Sequence, residues 1–318
     1  EDKFKALEVN VYYLPKKVSQ RIEAFRKLMS SNKYDVVHSH CEFMSEIYLG
    51  IAMLYGVNTR VIHSHMAGGH YSWVKNLYAP IGRIIAKKVA THYFGCGIDA
   101  CKSMWGERAF YQGKCHILNN AIDIEKFRFK PNLRDEVRKE MKWENHFIVV
   151  NVGRFVEQKN HKFLIDIFHS LTEKRQDALL VLIGEGPLID EVEQKVKSLK
   201  LEDKVLFLGL RDDVSRLMNG ADVFLLPSLF EGLPIVSIES QTNGLPIVMS
   251  EGVTLESGIT DIASFVSFDS SLEVWVNALL KKHDGKRTDY ATKVRMKNFD
   301  LTLEAGKLRN FYISGGLE

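Results

Sequence analysis

Residues Asp222–Met249 read DVFLLPSLFEGLPIVSIESQTNGLPIVM, and this stretch decides the fold of the chain. It opens with a short apolar run, Val223–Leu226, and closes with a second, Leu245–Met249. Both runs have the length and composition of buried strands. Between them, Pro234 fits the first position of a helix and Asn243-Gly244 fits its carboxyl end. The stretch therefore predicts a strand–helix–strand unit of a parallel sheet.

The start of this helix follows a loop, Glu231-Gly232-Leu233, that suits an anion. The first backbone N–H groups of a helix lack internal partners, and the helix dipole places positive charge there. Glu231 precedes the helix, while Glu239 lies about one and a half turns inside it. Because carboxylates repel phosphate, the two glutamates suit sugar hydroxyls, whereas backbone N–H groups and cations from elsewhere suit a phosphate.

The second half of the chain repeats the order of strand, loop and helix. The apolar strand Phe147–Val152 runs directly into Gly153-Arg154-Phe155-Val156-Glu157-Gln158-Lys159. A glycine that gives backbone room, followed by two cations, is what a diphosphate requires. Strand Ala178–Ile183 then precedes Gly184-Glu185-Gly186-Pro187, and strand Val205–Leu208 precedes Gly209-Leu210-Arg211. The Gly-x-Gly pair lacks the third glycine of the dinucleotide motif, so NAD is not indicated.

The first half shows the same alternation, with histidines at two strand ends. We predict strands at Val9–Leu14, Tyr34–His40 and Arg60–His65, and the last two each end in His-Ser-His. Carboxyl ends of parallel strands gather at one edge of a sheet. From the residues alone, two interpretations stay open: strand-end histidines bonded to loop backbone, and, less favoured, a metal site, because Glu42 and Cys41 are the only other ligands nearby.

Length and composition limit the classes of protein. A chain of 318 residues with 45% hydrophobic content suits two domains, and it contains no apolar run of eighteen residues. Residues 1–130 carry 19 Lys and Arg against 11 Asp and Glu. Without a nucleic-acid-binding motif, this basic half suits an anionic lipid or a charged substrate better than nucleic acid. The four cysteines lack CxxC spacing, which predicts reduced thiols and no zinc site.

The motifs GRFVEQK, IGEGP, FLGL and PSLFEGLPIVSIE, in this order, resemble those of retaining GT-B glycosyltransferases of family four. The chain is most similar to bacterial enzymes of capsular and exopolysaccharide synthesis. The resemblance implies an α/β, GT-B fold of two doubly wound, Rossmann-like domains, residues 1–128 and 129–299, with the tail 300–318 packing on the first. The family's first strand and glycine-rich loop have no counterpart here. Since the sequence begins at Glu1 rather than Met, we expect the N-terminal domain to be incomplete.

The resemblance also implies roles for single residues. The catalytic residues would be Glu231, His65, Arg154 and Lys159. His65 would be a partner of the donor sugar, and His63 is the competing register. Glu231 would hold sugar hydroxyls, Glu239 the ribose, and backbone groups at Leu210 and Arg211 the base. The remaining donor contacts would surround the diphosphate: Gly153, Arg154, Lys159, Gly184, Gly186, Gly232 and Leu233. No cofactor and no divalent metal are expected, since the donor is a substrate.

The implied function is transfer of a hexose from a nucleoside diphosphate sugar, with UDP the expected nucleotide, to a saccharide or lipid-linked acceptor. The enzyme would be cytoplasmic, with a peripheral contact to an anionic inner membrane face. For this contact we single out residues 68–90, which carry Trp73, Lys75, Tyr78, Arg83, Lys87 and Lys88. Two alternatives remain open: a nucleotide-sugar 2-epimerase of the same fold, and a non-catalytic partner of another transferase.

Overall fold

The computed structural model describes residues 7–41, 44–65, 73–281 and 287–315, and the side chains of the third range from residue 81 onward. The chain divides into two compact units, Glu1–Leu118 with Phe311–Gly316, and Asn119–Asn310. The sequence prediction placed the boundary at residue 128. The difference arises because Ile122, Ile124 and Phe127 are buried in the core of the second unit.

The first unit contains a four-stranded parallel sheet in the order β1-β2-β3-β4. Its apolar residues form two clusters, one of them around Leu49, Ile62 and Trp105. In chain order, its elements are α1 (Val18–Ser31), β1 (Val36–Ser39), α2 (Ser45–Leu54), β2 (Thr59–Ser64), α3 (Trp73–Val89), β3 (His92–Gly95), α4 (Ile98–Trp105), α5 (Glu107–Tyr111) and β4 (Cys115–Ile117).

The predicted strand Val9–Leu14 is wrong. Residues 9–14 have no regular structure, and Tyr12 and Tyr13 are exposed. The alternation of the sequence there suits a strand, but a strand forms only where a neighbour accepts its backbone hydrogen bonds. Within the described parts of the chain, β1 pairs with β2 alone. The other predicted strands of this unit, at Tyr34–His40 and Arg60–His65, are confirmed as β1 and β2.

The prediction that all cysteines are reduced is also wrong. Helix α4 packs beside β4 and brings Cys101 and Cys115 into a disulfide, with Cα atoms 6.1 Å apart. Cys41 and Cys96 take no part in it. The prediction of reduced thiols rested on the absence of CxxC spacing. Cys101 and Cys115 are 14 positions apart and meet only through tertiary packing.

The second unit begins with α6 (Ile124–Phe127) and α7 (Pro131–Glu140), and its sheet and helices follow. In chain order these are β5 (Phe147–Val152), α8 (His161–Lys174), β6 (Ala178–Ile183), α9 (Ile189–Ser198), β7 (Val205–Phe207), α10 (Val214–Gly220), β8 (Val223–Leu226), α11 (Ile235–Thr242), β9 (Ile247–Ser250), β10 (Ala263–Val266), α12 (Leu272–Leu280), α13 (Ala291–Met296) and α14 (Leu301–Ser314). Helix α14 starts in this unit, but from Phe311 onward it belongs to the first.

The sheet of the second unit is parallel, with the order β10-β9-β8-β5-β6-β7. A separate apolar cluster covers each face, so the strands read as continuous hydrophobic runs rather than alternating ones. The strand order reverses between β5 and β8, which are paired through Val149 and Val223. In open parallel sheets, ligands bind outside the carboxyl ends of the strands at such a reversal. We therefore expect a ligand-binding site at the loops after β5 and β8.

Some predictions concern residues outside the described ranges. The glycine-rich segment Gly68–Ser72 and Glu42 lie there, as do the side chains of Trp73, Lys75 and Tyr78. No helix in the described ranges is both long enough and apolar enough to cross a membrane.

Candidate functional site

The loops after β5 and β8 are joined to each other at the reversal of the strand order. The backbone N–H of Leu229 donates to the carbonyl of Gln158 at 2.8 Å. The side-chain amide of Gln158 donates in turn to the carbonyl of Phe230 at 3.0 Å and to Glu231 Oε2 at 3.3 Å. Gln158 was not among the predicted site residues, although it stands inside the quoted GRFVEQK motif. It holds the two loops in one arrangement.

The structure brings Lys159 and Glu231 together. Lys159 Nζ lies 2.5 Å from Glu231 Oε1, and the two side chains are 16% and 10% exposed. The family resemblance implies a phosphate as the partner of the lysine and a sugar as the partner of the glutamate, and this contact between the two was not predicted. Here each neutralises the other in a mostly buried position, where an unpaired charge would be costly.

The backbone of Glu231 is fixed by the loop after β9. Its N–H donates to the carbonyl of Gly252 at 2.9 Å, and its carbonyl accepts from Thr254 at 3.3 Å. A Cβ atom on Gly252 would lie only 2.1 Å from the carbonyl oxygen of Leu229. A glycine is therefore required at 252 for this close approach. Gly252 was not predicted, since a single glycine after a strand carries little signal.

Arg154 differs from Lys159 in its surroundings. Its side chain is exposed, and no ion pair joins it to any residue that the structure describes. Gly153 lies under the stem of Lys159, because a Cβ added to Gly153 would be 3.4 Å from Lys159 Cδ and Cε. The loop after β5 thus presents the guanidinium of Arg154 to solvent and directs the ammonium of Lys159 toward Glu231.

The predicted Gly-x-Gly loop packs against the loop after β5. Gly184 has φ +141, and an added Cβ would lie 2.1 Å from the carbonyl oxygen of Gly153. A Cβ on Gly186 would lie 2.4 Å from the carbonyl oxygen of Phe155. Both glycines are therefore explained by close backbone packing, and Phe155 N–H donates to Glu185 at 3.0 Å.

The loop after β7 continues the same edge of the sheet. The carbonyl of Gly209, a residue with φ +62, accepts from the N–H of Gly184 at 2.8 Å. Leu210 is 72% exposed. Arg211 pairs with Asp213 through bonds of 2.8 and 2.9 Å, so its guanidinium is already engaged.

Helix α11 begins at Ile235, so Pro234 is its extended N-cap and not its first residue as predicted. Gly244, with φ +67, follows its carboxyl end, which confirms the predicted left-handed cap. Among the described residues, no carbonyl accepts from the N–H groups of Gly232 and Leu233. Glu239 is half-buried, and burial raises its pKa to about 7 against a smaller opposite effect of Lys126. Near neutral pH this carboxyl therefore exists in both protonation states.

His161, at the first turn of α8, was not predicted. Its ring stacks on Phe155 with centroids 4.1 Å apart, and it is only 4% exposed. Burial, helped by the charge of Lys159, lowers its pKa to about 4. The neutral imidazole of His161 thus packs against Phe155 in the loop after β5.

His65 lies in the first unit, next after β2, among three other histidines. Its Nε2 is 2.7 Å from Nδ1 of His40. His63, the competing register, is 3% exposed, and burial lowers its pKa to about 2. Burial likewise lowers the pKa of His38 to about 3. The structure therefore gathers both His-Ser-His segments into one cluster, in which burial disfavours the charged form of His38 and His63.

Comparison with known proteins agrees with these features. The family model described as glycosyl transferases group 1 matches residues 134–265. The Bacillus subtilis protein EpsF, named as a glycosyltransferase, is 31% identical over 90% of this chain and 76% of its own length. An Escherichia coli UDP-Gal:α-D-GlcNAc-diphosphoundecaprenol α-1,3-galactosyltransferase is 27% identical over 90% of this chain and 77% of its own length.

Among solved structures, Anabaena HepE in complex with UDP-glucose superposes with a TM-score of 0.79 at 17% identity, covering 98% of this chain and 88% of HepE. This similarity shows the fold. The sequence similarity to EpsF over most of both chains shows the family. The chain thus belongs to the group 1 glycosyltransferases and has the GT-B fold that the motifs predict.

Proposed function

We propose that the protein transfers a sugar from a nucleoside diphosphate sugar, with UDP as the nucleotide, to a lipid-linked saccharide acceptor, and that it retains the anomeric configuration. The observation that carries this proposal is the Lys159–Glu231 pair beside the start of α11, at the reversal of the strand order. Cation, carboxylate and backbone N–H groups meet there, as binding of a sugar diphosphate requires.

The proposed chemistry stabilises the leaving diphosphate. Arg154 and Lys159, with the N–H groups of Gly232 and Leu233, would oppose the negative charge that grows as the glycosidic bond breaks. Such preorganised electrostatic stabilisation is commonly the largest catalytic effect, and in this arrangement it needs no divalent metal. The attacking acceptor hydroxyl would pass its proton to the departing phosphate on the same face of the sugar.

The other predicted residues keep their proposed roles. Glu239 would accept hydrogen bonds from ribose hydroxyls, and Glu231 from donor-sugar hydroxyls. Backbone groups of Leu210 and Arg211 would contact the base, and His65 would bond to the sugar. The name of the Escherichia coli relative supports the acceptor class, since it specifies a diphosphoundecaprenol-linked saccharide as the acceptor.

A peripheral contact with anionic lipid is part of the proposal. Helix α3 exposes Ile81, Ile84 and Ile85 at helical spacing, followed by Lys87 and Lys88. Apolar residues beside lysines suit the boundary between acyl chains and anionic headgroups. Replacing Ile84 and Ile85 with glutamate should abolish sedimentation with vesicles containing phosphatidylglycerol, and vesicles of phosphatidylcholine alone serve as the control.

The decisive experiment has two stages. Thermal shift with UDP, GDP, ADP and their sugars identifies the nucleotide, and we expect the largest shift with UDP. Incubation of the preferred donor with a polyprenyl-diphosphate saccharide should then yield an α-linked product from an α-linked donor, as read by NMR. Turnover of donor without an acceptor would favour the epimerase, and no shift with any nucleotide would favour a non-catalytic partner.

A further inference from the structure

The four histidines at the ends of β1 and β2 lie on one face of the first unit's sheet. His38 pairs with Val61 in the parallel register, so His40 comes opposite His63. Side chains two positions apart in a strand point to the same face. Two His-Ser-His segments in this register therefore place all four imidazoles together, with ring centroids 4.3 Å apart for His38 and His40 and 4.9 Å apart for His40 and His63.

Three of these histidines offer converging ring nitrogens. One ring nitrogen from each of His38, His40 and His63 lies within 4.8 Å of the other two. His63 is 3% exposed, and neither of its ring nitrogens makes a hydrogen bond of normal geometry with a described residue, although the backbone of Leu118 lies beside the ring. Nε2 of His38 is buried and likewise lacks a partner there. A buried polar nitrogen without a good partner is costly, so the rings of His38 and His63, beside the exposed ring of His40, call for a ligand.

We propose that His38, His40 and His63 bind one divalent transition metal ion, with Zn²⁺ as the reference ion. Imidazole nitrogen is a preferred ligand of Zn²⁺, Co²⁺ and Ni²⁺, and three histidines with a fourth position for water form a complete zinc site. Nitrogens at about 2.0–2.1 Å from a tetrahedral ion are roughly 3.4 Å apart, so small rotations of the rings close the site. The sequence argument against a metal relied on missing carboxylates, but the third ligand is another histidine.

Two outer groups orient the proposed ligands. Nδ1 of His38 is 2.5 Å from the hydroxyl of Tyr312, which leaves Nε2 to face the site. Nδ1 of His40 is 2.7 Å from His65 Nε2. Metal-binding histidines commonly donate their second N–H to an acceptor, which fixes the tautomer and the ring orientation. Tyr312 and His65 are therefore positioning residues, and the site is independent of the proposed donor diphosphate contacts.

The test measures metal directly in the full, untagged chain. After dialysis against EDTA and then buffer, we expect one equivalent of Zn²⁺ to bind by calorimetry, and Co²⁺ to give the visible absorption of a tetrahedral site. His40→Gln and His63→Gln should each weaken Zn²⁺ binding by at least about tenfold, and Tyr312→Phe by a smaller factor. His169→Gln, in the second unit, is the matched control and should bind as the parent does.

Because His63 is buried, circular dichroism should be used to check that the His63→Gln variant is folded. His40 is exposed, so its replacement by Gln should not disturb the fold. Failure of the parent chain to bind Zn²⁺, Co²⁺ or Ni²⁺ overturns the proposal. Undiminished binding by a folded His40→Gln variant does the same, since the ion would then be held elsewhere.

Discussion

The ammonium of Lys159 pairs with the Glu231 carboxylate in the structure, and we propose that it binds the donor diphosphate during the reaction. It pairs with Glu231 at 2.5 Å, whereas Arg154 is exposed and free of any described ion pair. Arg154→Ala and Lys159→Ala should each weaken UDP binding, because loss of one cation from a desolvated diphosphate costs about 2–5 kcal/mol. Calorimetry with UDP measures the effect.

The matched control for this pair of variants is Lys162→Ala. Lys162 lies on α8 and pairs with Glu191 in an exposed position, so its loss should leave UDP affinity unchanged. Parent-like affinity in both the Arg154 and Lys159 variants would contradict the assignment of the diphosphate to this loop.

A variant of Glu231 can test whether its carboxylate competes with the donor phosphate for Lys159. Glu231→Gln keeps the shape of the side chain but removes the charge that holds the lysine. We expect UDP affinity to stay level or rise, and sugar transfer to fall by about 10²–10³-fold, as for loss of a transition-state contact. Glu157→Gln, an exposed change in the same loop, is the control. A drop in UDP affinity matching that of Lys159→Ala would instead make Glu231 the anchor of that lysine.

The raised pKa of Glu239 leads us to expect that the stability of the fold depends on pH. Burial raises its pKa from 4.5 to about 7 in the folded chain, so the folded state holds a proton that the unfolded state releases. Its contribution to stability is therefore present below pH 4.5 and lost as the pH rises through 7, by roughly 3 kcal/mol in all. Urea unfolding between pH 5 and pH 8 should show this loss in the parent and not in Glu239→Gln. Parallel pH profiles of the two would contradict it.

At the scale of elements, the sequence predicts strands best where both faces are buried. β5, β6 and β8 are apolar runs that end at glycine or proline, and their bounds match the prediction. β10, Ala263–Val266, was not predicted, because a four-residue edge strand with a serine has no clear period. The loops of the candidate site were predicted from strand ends. The Lys159–Glu231 contact was not, because it depends on how two loops distant in sequence come together.

Gly184, directly after β6, packs against the loop after β5, and this close contact leads to a steric prediction. An alanine there would place Cβ 2.1 Å from the Gly153 carbonyl at a φ that side chains rarely adopt. Gly184→Ala should shift the loop after β5, lower the melting temperature and weaken UDP binding. Gly306→Ala, in α14 with no atom within 4 Å of its added Cβ, should instead stabilise by about 0.5–1 kcal/mol. Equal behaviour of the two in thermal unfolding would contradict the close packing.

At the scale of the whole molecule, the chain has separate apolar cores. Among the side chains that the structure describes, two apolar clusters lie entirely in the first unit and two in the second, as the repeated alternation of strands and helices in the sequence implies. The Cys101–Cys115 disulfide belongs to the first unit, and the candidate donor loops belong to the second. Reduction of the disulfide would therefore act on the first unit, and the proposed nucleotide binding on the second.

This separation predicts two calorimetric unfolding transitions in the full chain. UDP at a hundred times its Kd should raise only the transition of the second unit, by a stabilisation of about 2.7 kcal/mol, because it binds that folded unit. Dithiothreitol should lower only the other transition, because removing a disulfide frees the unfolded chain. The Cys101→Ser, Cys115→Ser double variant should reproduce the second effect without reductant. A single transition that both agents move would mean that the two cores unfold together.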